Sequence, residues 1–338
     1  PTMCFLKGYD ASTSCMVCVE KVNGSSSLVP ACATKAADGM VVESETEEVH
    51  AARRTALELL LSDHVGDCMG PCHVTCPAKM DIPKMIRQIA GQDLAGAIKT
   101  VKADIPLPAV LGRICPAPCE KACRRRQQDV AVSICLLKRY VADKDIASGK
   151  TYIPECEPDK NKSVAVTGAG ACGLSAAYFL RRSGYDCTVY DKNETLGGML
   201  RSAVDMDVLD AEINVIKKMG VEFESSVCVG KDIKAGKLLD NFDAVILATG
   251  TIDKELFDAS LPRVFVGSDD PKKRRTVIAV VAAGKEIAYK TIDYLRDKGV
   301  SSQPKPFNCR MGKLKDGEMD IFMKYSNDSP RLEVSGTN

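Results

Sequence analysis

Apolar positions recur at two different spacings along the chain, and the change between them divides it into parts. Helical spacing predicts four helices in the first half, at 49–61 and at about 83–91, 93–102 and 131–147. Ser44, with Glu47 three residues later, forms a capping-box pattern that predicts where the first of them begins. Proline-rich stretches at 104–110 and 115–119 predict loops between the later helices. Residues 44–153 are therefore expected to be mainly helical.

A polar, turn-rich stretch at 154–162 is expected to be a linker, and after it short apolar runs alternate with helix-like segments. The runs predict strands at 163–166, 185–190, 221–223, 244–247 and 263–266, and the other segments predict helices at 174–183, about 207–219 and 276 to about 298. Such alternation is typical of a parallel sheet covered by helices. Residues 1–43 show only strand-like stretches, and 301–338 are expected to form an extended tail.

Composition narrows the classes of function. The chain is 45% hydrophobic and 27% charged with a net charge of +1, which is ordinary for a globular protein and gives no basis for binding nucleic acid or a membrane surface. No apolar run approaches the roughly 18 residues of a transmembrane helix, and no secretory signal opens the sequence. A cytoplasmic protein without a membrane span is therefore expected.

The number and grouping of the cysteines change the expected class of function more than the rest of the composition does. Eleven of the sixteen cysteines lie before residue 136, and the first ten fall into groups. Disulfide frameworks belong mainly to short secreted chains, so grouped cysteines here favour metal ligation. The isolated cysteines are interpreted as buried small hydrophobes or bystanders, namely Cys156, Cys172, Cys187, Cys228 and Cys309.

The first group has the spacing C-x10-C-x2-C-x13-C and consists of Cys4, Cys15, Cys18 and Cys32. Four thiolates complete the ligand shell of a [2Fe–2S] cluster. Zinc is the alternative, although zinc sites usually pair two short knuckles and this group has one. The sequence around these cysteines resembles the [2Fe–2S] ferredoxin domain of the complex I 75-kDa subunit family and of iron-only hydrogenases. The resemblance implies a partial ferredoxin-like segment over residues 1–43, without that family's leading β-hairpin.

Two further groups lie in the stretches PCHVTCP, residues 71–77, and GRICPAPCEKAC, residues 112–123. Together they resemble the N-terminal helical domain of the glutamate synthase small-subunit family, which includes the N-terminal part of dihydropyrimidine dehydrogenase and the large subunit of bifurcating ferredoxin–NADP oxidoreductase. The resemblance implies one or two [4Fe–4S] clusters with interleaved ligands. One cluster would use Cys68, Cys72 and Cys123, and the other Cys76, Cys115 and Cys119.

Each of these sets is one ligand short of the family pattern. The family's first cysteine has no counterpart, which leaves Asp67 or His64 as nearby substitutes, although His64 is preferably interpreted as a surface histidine. The position of the family's Gln or Glu ligand falls near Lys138, which cannot ligate while protonated. Cys135, about one helical turn earlier, is the candidate replacement.

A glycine loop of the form GxGxxG follows the predicted strand 163–166. In this context the first glycine makes a tight turn, the second admits a pyrophosphate and the third allows close helix–strand packing. Asp191 ends the next strand, where an acid accepts ribose hydroxyls. The expected cofactor contacts in this motif are Gly168, Gly170, Ala171, Cys172, Gly173 and Asp191.

Three later segments resemble the flavin contacts of the same family and favour FAD over NAD. They are a second loop with Gly198 and Arg201, an ATG turn, and a late motif ahead of the last helix. The ATG turn is Ala248, Thr249 and Gly250, and the late motif contributes Asp269 and Thr276. Relatives insert an NAD(P)-binding domain after the ATG turn, but here only twelve residues precede Arg263, and no second GxGxxG occurs.

These resemblances imply a multidomain α+β oxidoreductase with a [2Fe–2S] segment, a helical [4Fe–4S] domain and a Rossmann-like FAD domain over 163–300. The leading hypothesis is an electron-transfer subunit of a hetero-oligomeric complex, with no acid–base catalytic residues. Its partner would be a hydrogenase, a formate dehydrogenase, ferredoxin or an NAD(P)H-oxidising subunit. Two alternatives stay open: a self-contained NAD(P)H-dependent reductase of the glutamate synthase small-subunit type, and a non-redox structural adaptor.

Overall fold

A computed structural model describes residues 2–5, 10–62, 69–250, 263–267 and 276–296. The described residues form two compact units, one reaching residue 62 and the other beginning at Met69. This division differs from the predicted one, which separated residues 1–43 from 44–153. The predicted domain boundaries stay predictions. The predicted tail at 301–338 lies outside the described residues.

The first unit contains a small antiparallel sheet in the order β2-β1-β3. Its elements are β1 (Val19–Val22), β2 (Leu28–Pro30), β3 (Val42–Glu43) and helix α1 (Glu47–Ser62). Arg53 of α1 donates a hydrogen bond from Nε to the Val19 carbonyl at 3.1 Å. Lys21 of β1 forms an ion pair with Glu48 at 2.8 Å. Helix α1 is therefore attached directly to the central strand of the small sheet.

The start of α1 corrects one prediction. Thr46 Oγ1 accepts a hydrogen bond from the Val49 N–H at 3.3 Å, whereas the Ser44 hydroxyl bonds to the Glu45 carboxylate at 3.2 Å. Ser44 therefore does not cap the helix, and the capping-box prediction was wrong. Serine and threonine hydroxyls satisfy helical N–H groups equally well, so local sequence alone did not separate the two candidates.

In the second unit, six α-helices of the described residues precede the parallel sheet. They are α2 (Pro71–Thr75), α3 (Ile82–Ala90), α4 (Leu94–Lys102), α5 (Pro108–Ile114), α6 (Pro118–Lys121) and α7 (Ile134–Ala147). Helices α3, α4 and α7 confirm predicted segments. The loops predicted at 104–110 and 115–119 were wrong in part, because α5 and α6 begin there with proline. Proline suits the first turn, since the N–H it lacks would have no helical partner.

The remaining elements form a five-stranded parallel sheet with helices around it. The strands are β4 (Ser163–Thr167), β5 (Asp186–Tyr190), β6 (Glu222–Glu224), β7 (Ala244–Leu247) and β8 (Val264–Val266), in the order β6-β5-β4-β7-β8. The helices are α8 (Ala171–Arg182), α9 (Met206–Lys218), α10 (Ala235–Asn241) and α11 (Val277–Leu295). The predicted alternation of strands and helices is confirmed, and only α10 was not predicted. Among the described residues, none of these helices has both the length and the apolar character that a membrane span requires.

The strand order fixes where a ligand can bind. Central strand β4 has β5 on one side and β7 on the other, so the chain reverses direction across the sheet at this point. In open parallel sheets, ligands bind at the carboxyl ends of strands beside such a reversal. Helices α8 and α11 pack closely behind it, because Gly284 has no side chain: a Cβ there would lie 2.3 Å from the Cys172 carbonyl oxygen. Ser175 Oγ also donates to the Val281 carbonyl at 2.7 Å.

The helical region and the parallel sheet belong to the same unit and share buried contacts. Tyr178 of α8 donates its hydroxyl hydrogen to the Lys102 carbonyl at 2.6 Å. The stretch expected to be a linker runs along the sheet region, since Glu157 N–H donates to the Arg182 carbonyl and Lys160 N–H to the Gly184 carbonyl, at 2.8 and 2.9 Å. The cysteines from Cys72 to Cys135 and the glycine loop therefore belong to one compact unit, whereas Cys4, Cys15, Cys18 and Cys32 belong to the other.

Candidate cluster and dinucleotide sites

The four cysteines of the first unit lie beside one another. Cys15 and Cys18 are buried just before and at the start of β1, and Cys32 follows β2. A hydrogen bond with the Cys18 thiol raises the pKa of Cys32, and burial and the neighbouring Cys4 and Cys15 add to the rise. Hydrogen bonds from Ser12 and from Cys15 lower the pKa of the Cys4 thiol to about 6. Residues from three separated stretches thus bring their sulfurs to one place.

Short helices that begin with proline position the cysteines of the second unit. Each cysteine lies in or directly after such a helix: Cys72 and Cys76 with α2, Cys115 after α5, and Cys119 and Cys123 with α6. Ala117 joins α5 to α6 in the left-handed conformation, with φ of +48°. This turn is sharp enough to place the two helix ends next to each other.

One cavity collects four of these thiols. It is lined by Cys76, Cys115, Cys119 and Cys135, together with Lys138. Apolar side chains make up most of the remaining wall, namely Met80, Ile82, Ile105, Ile134 and Ile278. Its volume of about 20 Å³ is the room of a single water molecule, so the thiols surround a nearly dry centre.

The pKa values report how closely these thiols interact. A hydrogen bond from Cys135 lowers the pKa of Cys115 to about 6, and the Lys138 ammonium lowers it further. The same bond, together with burial, raises the pKa of Cys135. Burial raises the pKa of Cys119 to about 12, with Cys76 adding to the rise. The Cys115 thiol therefore ionises more readily than the thiols of Cys119 and Cys135.

A second pairing joins the two cysteine-rich stretches. Burial raises the pKa of the Cys72 thiol, and the neighbouring Cys123 adds to that rise. Cys72 and Cys123 are therefore close, although fifty residues of sequence separate them. The predicted third ligand Cys68 and its possible companions Asp67 and His64 lie outside the described residues.

The chemistry of the cavity fits an iron–sulfur cluster. Thiolates are the soft ligands that iron–sulfur clusters use. Lys138 is only 4% exposed, and no oxygen of the described residues accepts a hydrogen bond from its ammonium. A buried cation needs an anion nearby, and a cluster held by four thiolates is one. Within the described ranges, no group of three or more His, Cys, Asp or Glu side chains is arranged so that it could hold a metal ion, so the fit rests on the types of residue that line the cavity.

The three glycines of the loop after β4 meet different surroundings. Gly168 has φ of +97°, and a Cβ there would lie 2.7 Å from the Ala248 carbonyl oxygen. A Cβ at Gly173 would lie 1.8 Å from the Gly168 carbonyl oxygen, whereas a Cβ at Gly170 would meet no atom within 4 Å. No side chain caps the N-terminus of α8 at Gly170, so the helical N–H groups face this open space. The arrangement suits a phosphate group.

Asp191 fastens the loop to the end of β5. Its Oδ2 accepts a hydrogen bond from the Ala169 N–H at 2.6 Å. Its Oδ1 accepts the backbone and amide N–H groups of Asn193 at 2.8 and 2.9 Å. Oδ2 accepts only one of these bonds and has a further lone pair, so Asp191 is able to accept a ribose hydroxyl as well.

The predicted second flavin loop lies against the glycine loop. Gly197 donates its N–H to the Ala169 carbonyl at 3.0 Å, and a Cβ at Gly198 would lie 3.3 Å from the Gly170 Cα. Arg201, in contrast, is engaged within the protein. Its guanidinium forms an ion pair with Asp210 at 2.5 Å and donates to the Leu196 carbonyl.

The ATG turn also reaches the glycine loop. Ala248 N–H donates to the Thr167 carbonyl at 2.8 Å, its carbonyl faces Gly168, and Gly250 after Thr249 has φ of +84°. Thr276 caps α11, its hydroxyl accepting the Ala279 N–H at 3.4 Å. Asp269 lies outside the described residues. The described parts of the predicted dinucleotide site, apart from Arg201 and Thr276, are thus brought together around the end of β4.

Two acidic residues with roles in this architecture were not predicted. Glu120 Oε1 accepts the Cys135 backbone N–H at 2.8 Å and so fixes the first turn of α7 beside the cavity. Glu212 is buried in α9 and accepts the N–H groups of Ala109 and Val110 at 2.7 and 2.9 Å. Its signal in the sequence is an acid that shares an apolar helix face with Leu209.

Comparison with known families agrees with this geometry. A family model described as dihydropyrimidine dehydrogenase domain II, 4Fe-4S cluster, matches residues 43–150. A second, described as an NAD(P)-binding Rossmann-like domain, matches residues 166–222. The predicted order of a helical [4Fe–4S] domain followed by a Rossmann-like domain is confirmed.

Three curated relatives illustrate the similarity, and each matches over 53% of this chain. NADPH-Fe(3+) oxidoreductase subunit beta of Geobacter sulfurreducens is 38% identical, with 28% of its length matched. NADP(+)-dependent formate dehydrogenase subunit beta of Moorella thermoacetica is 34% identical, with 29% matched. NAD-dependent dihydropyrimidine dehydrogenase subunit PreT of Escherichia coli is 35% identical, with 45% matched.

The chain is similar to subunits of oxidoreductases and dehydrogenases. The relatives carry the names of oxidoreductase or dehydrogenase subunits, which is the class that the sequence predicted. The match spans less than half the length of each of them.

Proposed function

We propose that this chain is an electron-transfer subunit of a multi-subunit oxidoreductase. It binds FAD at the carboxyl end of β4 and passes electrons between the flavin, its iron–sulfur clusters and a partner subunit. The proposed ligands are Cys4, Cys15, Cys18 and Cys32 for a [2Fe–2S] cluster, Cys76, Cys115, Cys119 and Cys135 for one [4Fe–4S] cluster, and Cys68, Cys72 and Cys123 for a second.

The observation that carries this proposal is the regrouping of cysteines from distant stretches. Cys72 and Cys76 are four residues apart in sequence. Yet Cys72 neighbours Cys123, while Cys76 shares a cavity with Cys115 and Cys119. Two clusters with interleaved ligands require each cysteine-rich stretch to supply thiols to both sites. Cysteines that are merely buried have no reason to be arranged in this way.

The protein's own residues bind, orient and exclude water. When bound, FAD and the clusters supply electron transfer in steps of one or two electrons. The open space at Gly170 and the N-terminus of α8 suit the pyrophosphate, and Asp191 suits the ribose. The apolar wall around the four-cysteine cavity excludes water, which lowers the local dielectric and strengthens every charge interaction there.

The partner is proposed to be another redox subunit, such as a hydrogenase, a formate dehydrogenase, ferredoxin or an NAD(P)H-oxidising subunit, in a cytoplasmic hetero-oligomer. The short connection between Gly250 and Arg263 supports a nicotinamide site on the partner. A self-contained NAD(P)H-dependent reductase is the second candidate. It is favoured by the NAD(P)-binding description of the model that matches residues 166–222 and by the nicotinamide cofactors in the relatives' names.

Iron and sulfide analysis of two matched variants tests the cluster assignment. Cys76→Ser removes a proposed ligand, and Cys156→Ser removes a partly buried thiol whose nearest acceptors are the carbonyls of Pro154 and Met219. After anaerobic reconstitution, the Cys76 variant is expected to lose about four iron and four sulfide per chain, the content of one [4Fe–4S] cluster. The Cys156 variant is expected to match the wild-type content. Equal iron content in the wild type and both variants would exclude Cys76 as a ligand. A wild-type chain that takes up no iron would contradict the whole proposal.

A further inference from the structure

Lys138 is a buried cation that faces the four-cysteine cavity. It lies on α7, one helical turn after Cys135, and is 4% exposed. It lines the cavity together with the four cysteines, and its charge lowers the pKa values of Cys115, Cys119 and Cys135. In the part of the chain that the structure describes, no carboxylate or carbonyl accepts a hydrogen bond from it.

The fold does provide a partner for another equally buried lysine. Lys102 is 3% exposed, forms an ion pair with Asp145 at 2.7 Å and donates to the Tyr152 carbonyl at 2.6 Å. A buried ammonium without such partners is strongly unfavourable. Lys138 therefore differs from Lys102 in its surroundings, not in its burial.

Glu120, the neighbouring acid, does not form an ion pair with Lys138. Glu120 contributes negative charge near Cys115 and Cys135, but its Oε1 accepts the Cys135 backbone N–H at 2.8 Å. No ion pair within 4 Å joins Glu120 to Lys138 among the described residues. Among the described residues, no carboxylate pairs directly with this ammonium, and the thiol-lined centre of the cavity is the nearest place for a counter-charge.

We propose that Lys138 is the fixed positive charge that tunes the reduction potential of the cluster held by Cys76, Cys115, Cys119 and Cys135. The proposal rests on the cluster assignment made above. Adding an electron to this site increases its negative charge by one, and a nearby ammonium in a water-poor cavity stabilises the added charge. Lys138 is thus a positioning residue for charge and not a ligand, and it raises the potential of this site.

Two charge-removing substitutions on the same helix test this role. Lys138→Met and Lys144→Met change the net charge equally, but Lys144 is exposed, two turns beyond Lys138. The full chain is reconstituted anaerobically, and the spectroscopic signal of this site is identified as the one lost in Cys119→Ser. A potential titration is then expected to show, for Lys138→Met alone, at least a tenfold loss in the reduction equilibrium, about 59 mV for one electron.

The outcomes separate this inference from the proposal beneath it. A wild-type chain without iron overturns both. Iron at wild-type level with an unchanged or raised potential in Lys138→Met overturns only the role of Lys138. If Lys138→Met fails to take up the cluster, Lys138→Arg decides: uptake by the arginine variant supports a need for positive charge, and failure of both shows that only the shape of lysine matters.

Discussion

At the residue scale, the glycine loop shows how one motif serves two physical purposes. Gly168 and Gly173 are required by the protein's own packing, since any side chain there would overlap a backbone oxygen. Gly170 is different, because the space beside it is open. Its backbone, with φ of −77°, suits any residue, so folding alone gives no reason for a glycine at this position. The glycine at position 170 is therefore explained by a ligand and not by the packing of the protein itself.

Alanine substitutions at two of these glycines should separate folding from binding. Gly173→Ala is expected to destabilise the protein by about 3 kcal/mol or more, because the new Cβ would lie 1.8 Å from a backbone oxygen. Gly170→Ala is expected to change the free energy of unfolding by less than about 1 kcal/mol. The same Gly170 variant should lose at least about tenfold in FAD affinity, since a methyl group would occupy the phosphate space.

Denaturant unfolding and flavin titration of the cluster-free chain measure the two quantities. Unchanged FAD affinity in Gly170→Ala, in a protein that does bind FAD, would move the phosphate away from the N-terminus of α8.

At the element scale, the helical region is attached to the sheet region through a helix cap supplied from far away in sequence. Helix α5 begins after Leu107 with no side chain of its own to cap it. Glu212 of α9 supplies the cap by accepting the N–H groups of Ala109 and Val110. The carboxylate is fully buried, and burial raises its pKa to about 7 despite these two bonds. The joint between the two regions is therefore sensitive to pH.

Stability should fall as the pH rises through this range. The folded protein binds the Glu212 proton more tightly than the unfolded chain, whose carboxyl has a pKa of 4.5. The contribution is thus complete below pH 4.5, is lost as the pH rises towards 7, and is constant above that, with a total on the order of 3 kcal/mol. Glu212→Gln cannot titrate and serves as the reference.

The difference in unfolding free energy between wild type and Glu212→Gln should decrease from pH 5 to about pH 7 in cluster-free protein and stay level above that. A difference that stays level over this range would show that the carboxylate is ionised throughout, so that its two N–H donors outweigh burial.

At the scale of the whole molecule, two features of the sequence support the proposed relay of electrons over a nicotinamide site on this chain. The described dinucleotide contacts converge on one site, at the carboxyl end of β4. The sequence contains no second GxGxxG, and twelve residues separate Gly250 from Arg263. A second Rossmann domain does not fit into a connection of that length.

An anaerobic titration of the reconstituted chain tests this expectation. With NADH or NADPH, the flavin and the clusters should stay oxidised and keep their visible absorbance. Dithionite should then reduce both and bleach that absorbance. Rapid, stoichiometric bleaching by either nucleotide would instead make the self-contained reductase the leading account. Dithionite serves as the control for intact cofactors in either case.

The sequence by itself determined the elements whose signals are local. The strands and helices of the parallel sheet and helices α3, α4 and α7 follow from apolar spacing, because that spacing directly reflects which face is buried. The glycine loop and the cysteine groups were also visible, since each depends on residue types at fixed offsets. Local signals misled where several candidates were equivalent, as with Ser44 and Thr46, or where proline starts a helix instead of ending one.

Only the tertiary structure decided which residues meet. It paired Cys72 with Cys123, placed Cys135 beside Cys115, and brought Glu212 to a helix end a hundred residues away. It also placed the buried Lys138 among thiols, with no oxygen acceptor among the described residues, and no spacing in the sequence predicts this. The physical reason is that burial and charge pairing are properties of packed neighbours, and packing joins parts of the chain whose separation leaves no periodic trace.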